Sequence, residues 1–496
     1  MSHCLGLVVA LCMSGVAHAQ PLRTTAEKSD FKATSRYADV VAFGDALAAR
    51  SPLVMASSFG TSNEGRKLPL LVIADPPVAN PADVPKDKLV VMAFANIHAG
   101  EVDGKEALLA LARDITAEKS HPLFNDLVLL VVPILNADGN EKISPKNRAG
   151  DNGPADGAGT RENAQGLDLN RDFVKLETPE VRALVKLLND WNPAVVIDCH
   201  TTNGSRHRYK LTYDGPRYPS DDPLAEWSNN VLFPDVTKRV KAAAGYDIAP
   251  YGNFNRDRTR WESYPATPRY GVQYFAIRGC VGVLSESYSY ATFKERVAAS
   301  YAFVKANLEV AAAKKADLAK LVAPQPATRV MTKGAIDTFP AKLTILGFAG
   351  PGKDETPKDY SLDYVARVLP KEVVTLPTAY LVPPEFTSAV ETLRLHGIKT
   401  EVLEKDAETD VEAFEVLKFE TAARPFQKHS PVTVEVRAKP NRRTVKAGTV
   451  VVKTAQPLGR LAGYLLEPTS EDGLTTWNFF DKGIAVGKEF PVVRAK

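Results

Sequence analysis

The chain is poor in cysteine, in any excess of charge and in long apolar runs. Its 496 residues hold four cysteines, and two of these, Cys4 and Cys12, lie in the first 20 positions. Cys199 and Cys280 are left as the one pair that could bridge. The 62 Lys and Arg side chains nearly cancel 59 Asp and Glu, for a formal charge of +3. Charge therefore points to neither nucleic acid nor a membrane surface, and the short basic run NRR at 441–443 does not alter that. No run of about 18 apolar residues occurs, which argues against a membrane span. Internal repeats and low-complexity tracts are absent too. What is present is the composition of a soluble globular chain, 44% apolar and 24% charged, at a length that suggests two or three domains.

The N-terminus has its own character. LGLVVALCMSGV is followed by AHA at Ala17–Ala19 and then Gln20. A short apolar core ahead of small residues at −3 and −1 is the pattern of a cleaved secretory signal, too short to span a bilayer. Residues 1–19 are thus expected to be a signal peptide cleaved near Ala19, leaving an exported (periplasmic or secreted) mature protein.

Downstream, strand and helix patterns alternate. TAEKSDFKATSRYADVVAFGDALAAR reads as an entry turn and an amphipathic helix. VMASSFGTSNEGRKLPLLVIA gives two strands around a polar turn. LVVMAFA and LVLLVVPIL are continuous apolar strands of the kind covered on both faces. EVDGKEALLALARDIT is a helix with acidic residues in its first turn, where the dipole favours them. TPEVRALVKLLNDW is another, with Thr178 as N-cap and Pro179 in the first turn. AVVIDCH and CVGVLSES are strands, and a long helix beginning at TFKERVAAS closes the series. Two long polar segments, 136–172 and 203–275, interrupt it; such loops in a compact domain are usually functional. The alternation predicts an α/β fold with a mostly parallel or mixed sheet and helices on both faces. From about residue 325 the composition shifts toward Val, Thr, Pro and Lys. There TAYLVPPEFTSAVETLRLHGIKTEVL reads as strand–helix–strand and VTVEVRAKPNRRTVKAGTVVVKTA as a β-hairpin. The expected organisation is a catalytic domain over 20–324 and a smaller α/β or β-rich C-terminal domain over 325–496, in which no chemical constellation stands out.

The chemistry concentrates at strand ends. LVVMAFA runs into NIHAGE, which presents His98 and Glu101. AVVIDCH ends in His200, and CVGVLSES ends in Glu286. Ligands of open α/β sheets bind at the carboxyl ends of the strands. If these strands are parallel, His98, Glu101 and His200 meet as three metal ligands and leave a fourth position for water, the pattern of a catalytic zinc site. Zinc acidifies such a water and polarises a carbonyl, and Glu286 can take the water's proton and hand it to a departing nitrogen. A cation is needed where the oxyanion forms. Segment 136–172 offers Arg148, Arg161 and Arg171.

Taken in order, NIHAGE, GLDLNRDF, DCHTT and VLSESYS resemble the zinc carboxypeptidases of the carboxypeptidase A type. The resemblance runs over about residues 25–320 and includes SFGTSNEGR. It implies a mixed sheet of about eight strands, one zinc per chain, and hydrolysis of a peptide or amide bond next to a free carboxylate. Carried over, it makes His98, Glu101 and His200 the zinc ligands and Glu286 the general base. It gives Asn170 and Arg171 the substrate's terminal carboxylate, which suits the planar fork of an arginine. Asp168 becomes the acid that orients the first histidine. For the arginine that polarises the scissile carbonyl, Arg148 fits the family context best and Arg161 competes. For the tyrosine that closes over substrate, Tyr264 and Tyr270 both qualify. NRDF departs from the usual Asn-Arg-Asn and sets Asp172 beside the carboxylate-binding pair, where it is expected to bear on substrate charge.

Other residues have structural readings. Strands ending at one edge would offset Cys199 and Cys280 by roughly 16 Å, beyond disulfide reach. His207 reads as a surface residue. Two substrate classes compete, protein C-termini and cell-wall stem peptides. The alternative of another class is a non-catalytic peptide- or glycan-binding module, disfavoured because the three ligands and Glu286 are all present. A zincin-type endopeptidase is disfavoured by the lack of HExxH. The expected partner is a peptide or cell-wall peptide substrate, with no nucleic acid and no membrane span.

Overall fold

The computed structural model describes residues 21–202, 204–350 and 355–496. The N-terminal run read as a signal, residues 1–19, lies outside them. The first ten strands, in chain order, are β1 (Val54–Thr61), β2 (Lys67–Ile73), β3 (Leu89–Ala95), β4 (Leu127–Val132), β5 (Val195–Thr202), β6 (Leu211–Asp214), β7 (Ile248–Pro250), β8 (Asn253–Phe254), β9 (Arg260–Glu262) and β10 (Val281–Tyr288). Eight of them form one sheet in the order β1-β2-β4-β3-β5-β10-β6-β7. The central four, β4, β3, β5 and β10, pair in parallel. Antiparallel pairs β1–β2, β2–β4 and β10–β6 complete a mixed sheet, as the alternation and the resemblance predict.

Successive residues of a strand face opposite sides, and the apolar runs supply both. Val91, Ala93, Val131 and Ile197 pack against Phe43, Leu108, Val236 and Phe303, from the helices Tyr37–Arg50, Asp103–Ile115, Phe233–Ala244 and Phe293–Ala313. Met92, Phe94, Leu130 and Val196 face the other way, onto Leu184 and Trp191 of helix Pro179–Trp191 and Phe275 of helix Gly271–Ile277. Each large side chain so buried stabilises by about 1.5–3 kcal/mol, so continuous apolar strands are stable only with both faces covered. Caps fix where the helices start. Thr178 accepts from the Val181 amide, with Pro179 in the first turn, and Thr292 with Glu295 forms a reciprocal capping box.

Beyond residue 325 follow β11 (Arg329–Thr338), β12 (Leu343–Phe348), β13 (Pro357–Thr375), β14 (Ala379–Val382), β15 (Glu401–Val402), β16 (Ala407–Thr421), β17 (Val432–Val445), β18 (Val450–Lys453) and β19 (Val493–Ala495). Two sheets result. One runs β11-β13-β9-β8, so β9 of the earlier segment pairs in parallel with β13. The other runs β15-β18-β14-β19-β16-β17. The expected hairpin over 432–455 is not formed. β17 pairs along its length with β16, while β18 pairs with β14 and β15. The long alternating run AETDVEAFEVLKFET is the better partner for β17, and the apolar VVVK of β18 belongs beside buried β14. Val330, Tyr380, Leu465 and Trp477 of this later segment share one apolar cluster with Met92, Phe94 and Phe275.

Candidate active site

Because β3, β5 and β10 are parallel, their carboxyl ends share one edge. Register sets Ala95 beside Cys199 and Glu286 beside His200. At the end of β3, Asn96 turns the chain sharply with φ 62°, and its side-chain amide donates to the carbonyls of Ala99 and Glu101. The glycines around this turn serve close approach. A Cβ on Gly100 would lie 2.6 Å from Arg148 Cδ, and one on Gly104 would lie 2.4 Å from Cys199 Cβ.

His98, Glu101 and His200 come together and are buried. His98 Nδ1 lies 3.0 Å from Glu101 Oε1 and 3.2 Å from His200 Nδ1, and His200 Nδ1 lies 2.9 Å from Glu101 Oε2. One ligand atom from each falls within 4.8 Å of the others. Each outer ring nitrogen lies beside a carboxylate. His98 Nε2 is hydrogen-bonded to Asp168 Oδ1 at 3.0 Å, and His200 Nε2 is 2.9 Å from Asp198 Oδ2. Both rings present Nδ1 inward, so the donor set fits zinc: two imidazoles and a carboxylate with further carboxylates behind. Burial alone would raise the Asp168 carboxyl, but His98, Arg171 and Arg161 hold it well below the usual carboxylate range.

Glu286 sits one strand over. Burial pushes its carboxyl up to about 7; His200 opposes the rise and Glu101 adds to it. A carboxylate with that affinity for a proton can take and return one near neutral pH.

The two competing arginines differ in what they touch. Arg148 donates to Glu101 Oε1 at 3.0 Å, to the Thr201 carbonyl at 2.8 Å and to Asp151 at 2.6 Å. Arg296, itself buried, lies 3.8 Å from that Asp151 oxygen and 3.0 Å from Asp103. Asp103 accepts from the hydroxyls of Thr201 and Ser287, so a buried chain of charges joins Arg148 to the strand ends. Arg161 instead commits Nε and Nη2 to Asp168, at 3.0 and 2.8 Å, and its Nη1 lies 3.3 Å from His98 Nδ1.

Asn170 Oδ1 accepts from the Gly271 amide at 2.9 Å. The Arg171 guanidinium lies over the Tyr270 ring at 4.2 Å. Tyr270 therefore stands against the Asn-Arg pair. Tyr264 lies behind it, its ring 5.1 Å from Tyr270 and covered by Arg217 at 4.7 Å. Burial, with Asp214 nearby, keeps the Tyr264 phenol protonated.

Two expectations are corrected. Asp172 does not face substrate: it is buried and accepts from the Glu177 and Thr178 amides and the Thr178 hydroxyl. Its identity answers the N-terminus of the next helix. His207 is buried rather than on the surface, its ring 4.4 Å from Tyr288, and burial lowers its pKa to about 3. Cys199 and Cys280 are both free and buried. Asp151, Arg296 and Asp103 were not singled out in the sequence, where nothing marks three charges so far apart as one network. Tyr251 was likewise unmarked, though burial, with Glu286 adding to it, raises its phenol.

Residues 40–269 match the zinc carboxypeptidase family model. Carboxypeptidase 2 of Trichophyton equinum is 23% identical over 462 residues, 88% of this chain and 81% of the relative. Carboxypeptidase Z of Mus musculus is 34% identical over 153 residues, 29% of this chain and 22% of the relative. Among solved structures, a metallo-carboxypeptidase from Pseudomonas aeruginosa aligns with TM-score 0.42 at 18% identity, covering 57% of this chain and 69% of the other.

Proposed function

We propose, from the premise that residues 40–269 belong to the zinc carboxypeptidase family, that this chain is an exported metallocarboxypeptidase removing C-terminal residues from peptides. The observation that carries the reading is the shared strand edge: His98, Glu101 and His200 converge there and Glu286 stands at the neighbouring strand end, beside His200 in register. His98 Nδ1, His200 Nδ1 and the Glu101 carboxylate would hold the zinc. When bound, the metal acts as a Lewis acid on the scissile carbonyl and acidifies a water. Glu286 takes the proton of the attacking water and passes it to the leaving amine. Arg148 faces the developing oxyanion. Its guanidinium is steered by Asp151 and reaches the metal-binding Glu101 carboxylate at 3.0 Å. Asn170 and Arg171 receive the terminal carboxylate, and Tyr270 lines that pocket. Residues 1–19 direct export, 20–324 carry the chemistry, and 325–496 form the C-terminal part. No helix among the described residues is long and apolar enough to cross a membrane.

The test uses purified mature protein and peptides with free, amidated and cell-wall-type ends, read by mass spectrometry. The expected result is about one zinc per chain and loss of single residues from free ends only. Equal cleavage of free and amidated ends would overturn the exopeptidase assignment.

A further inference from the structure

We propose that the C-terminal part is a working component of the substrate pocket, its residues Gln427 and Asp472 positioning the two walls that meet the terminal carboxylate. The inference rests on the reading of Asn170 and Arg171 as the carboxylate-binding pair.

The connection from β16 to β17 turns at Gln427 and Lys428, both in the left-handed region with φ 52° and 64°, a conformation that costs a side chain unless contacts hold it. Three consecutive residues there grip three points around the Asn-Arg pair. Gln427 Oε1 accepts from the Asp168 amide at 2.9 Å. Lys428 Nζ donates to the Gln165 carbonyl at 2.7 Å. His429 Nε2 lies 2.8 Å from Glu177 Oε1. Residues 165, 168 and 177 bracket Asn170 and Arg171 in the chain.

The opposite wall is held from the same side. Asp472, fully buried, accepts from the Arg269 backbone amide at 2.8 Å and its Nε at 3.1 Å, and from Trp477 Nε1 at 2.8 Å. Arg269 precedes Tyr270, the ring under Arg171, and Gly271, the donor to Asn170. Trp477 joins the two grips. Lys175 lies over its ring at 4.3 Å and Arg269 at 4.9 Å, and His429 meets it edge-on. A planar fork recognises a carboxylate only in a narrow geometry, and small misplacements of positioning groups cost far more than their own contacts. Both sides of that geometry are fixed by residues more than 150 positions downstream.

The experiment compares full-length Gln427→Met, which keeps length and loses the acceptor, and Asp472→Asn with wild type on matched peptides with free and amidated ends. The expected result for each variant is a KM for free ends raised about 10-fold, kcat within 2-fold, zinc content unchanged, and a free-over-amide preference in kcat/KM reduced about 10-fold. If Asp472→Asn does not fold, Gln427→Met decides alone. Folded variants with wild-type KM and preference, or with a loss confined to kcat, overturn the proposal while leaving the reading of Asn170 and Arg171 intact. A wild type without preference for free ends sinks that reading, and this proposal with it.

Discussion

Arg148→Ala separates what a buried cation does for the reaction from what it does for the fold. Arg148 contacts Glu101, the Thr201 carbonyl and Asp151, and the side chains of both Arg148 and Asp151 are mostly enclosed, at 15% and 6% exposure. Removing the guanidinium leaves Asp151 with Arg296 at 3.8 Å as its nearest ion-pair partner. Stranding a buried charge costs about 3 kcal/mol. At about 2.1 cal/mol/K of unfolding entropy per residue, that lowers Tm by about 3 °C in a chain of this size. The loss of one preorganised donor at the oxyanion lowers kcat about 10²–10³-fold. The two effects part in the double variant Arg148→Ala/Asp151→Asn, where removing the stranded charge restores much of the Tm and none of the kcat. Arg161→Ala is the control: its fork serves Asp168, so kcat is expected to fall less than 10-fold. Steady-state kinetics on a free-ended peptide and thermal melts of zinc-loaded protein read both quantities. A kcat for Arg148→Ala within 3-fold of wild type, or a larger loss in Arg161→Ala, would refute the assignment.

Three further outcomes are expected. Glu286→Gln retains zinc by metal analysis and loses about 10²–10⁴-fold in kcat, the usual worth of a proton-transfer group; full activity would remove Glu286 from that role. Asp168→Asn weakens zinc binding about 10–100-fold in chelator competition, because His98 loses the carboxylate that fixes its tautomer; unchanged affinity would contradict it. His429 is raised by its bond to Glu177, and Glu177, despite burial, is lowered by the same bond. The pair therefore stabilises fully below the free imidazole value of about 6.5 and above the free carboxyl value of about 4.3. That stability is lost as pH rises through the His429 pKa. His429→Ala should lower Tm more at pH 6 than at pH 8.5, and an equal drop at both would disprove the coupling.

The parts of the fold legible in the sequence were those written locally. LVVMAFA, LVLLVVPIL and AVVIDCH are continuous apolar runs, and such runs are stable only as doubly covered strands. Parallel pairing then brings His98, Glu101 and His200 to one edge. The alternation also carried the mixed sheet with helices on both faces, and the resemblance its count of about eight strands. What failed depended on partners distant in the chain. VTVEVRAKPNRRTVKAGTVVVKTA has the form of a hairpin, but the choice of β16 over β18 as partner for β17 is settled by competition between strands. Asp172 looks like a substrate contact because it follows Arg171, yet the amides of Glu177 and Thr178 claim it. His207, among arginines in SRHRYK, reads as solvated until Tyr288 and Trp261 close around it. Gln427 bonds a backbone amide 259 positions away and carries no local mark at all.

The strand β19 has a consequence for how the chain must be made. It is only three residues long, yet it lies between β14 and β16 as the neighbour common to both, and Arg494 ties it to Glu467 and Glu412. While the polypeptide is being synthesised, the six-stranded layer stays split in two until position 495 has emerged. A chain lacking residues 493–495 would leave two open edges facing each other, a template for association with other chains. With every other strand of that layer already in place, it would still be unable to close.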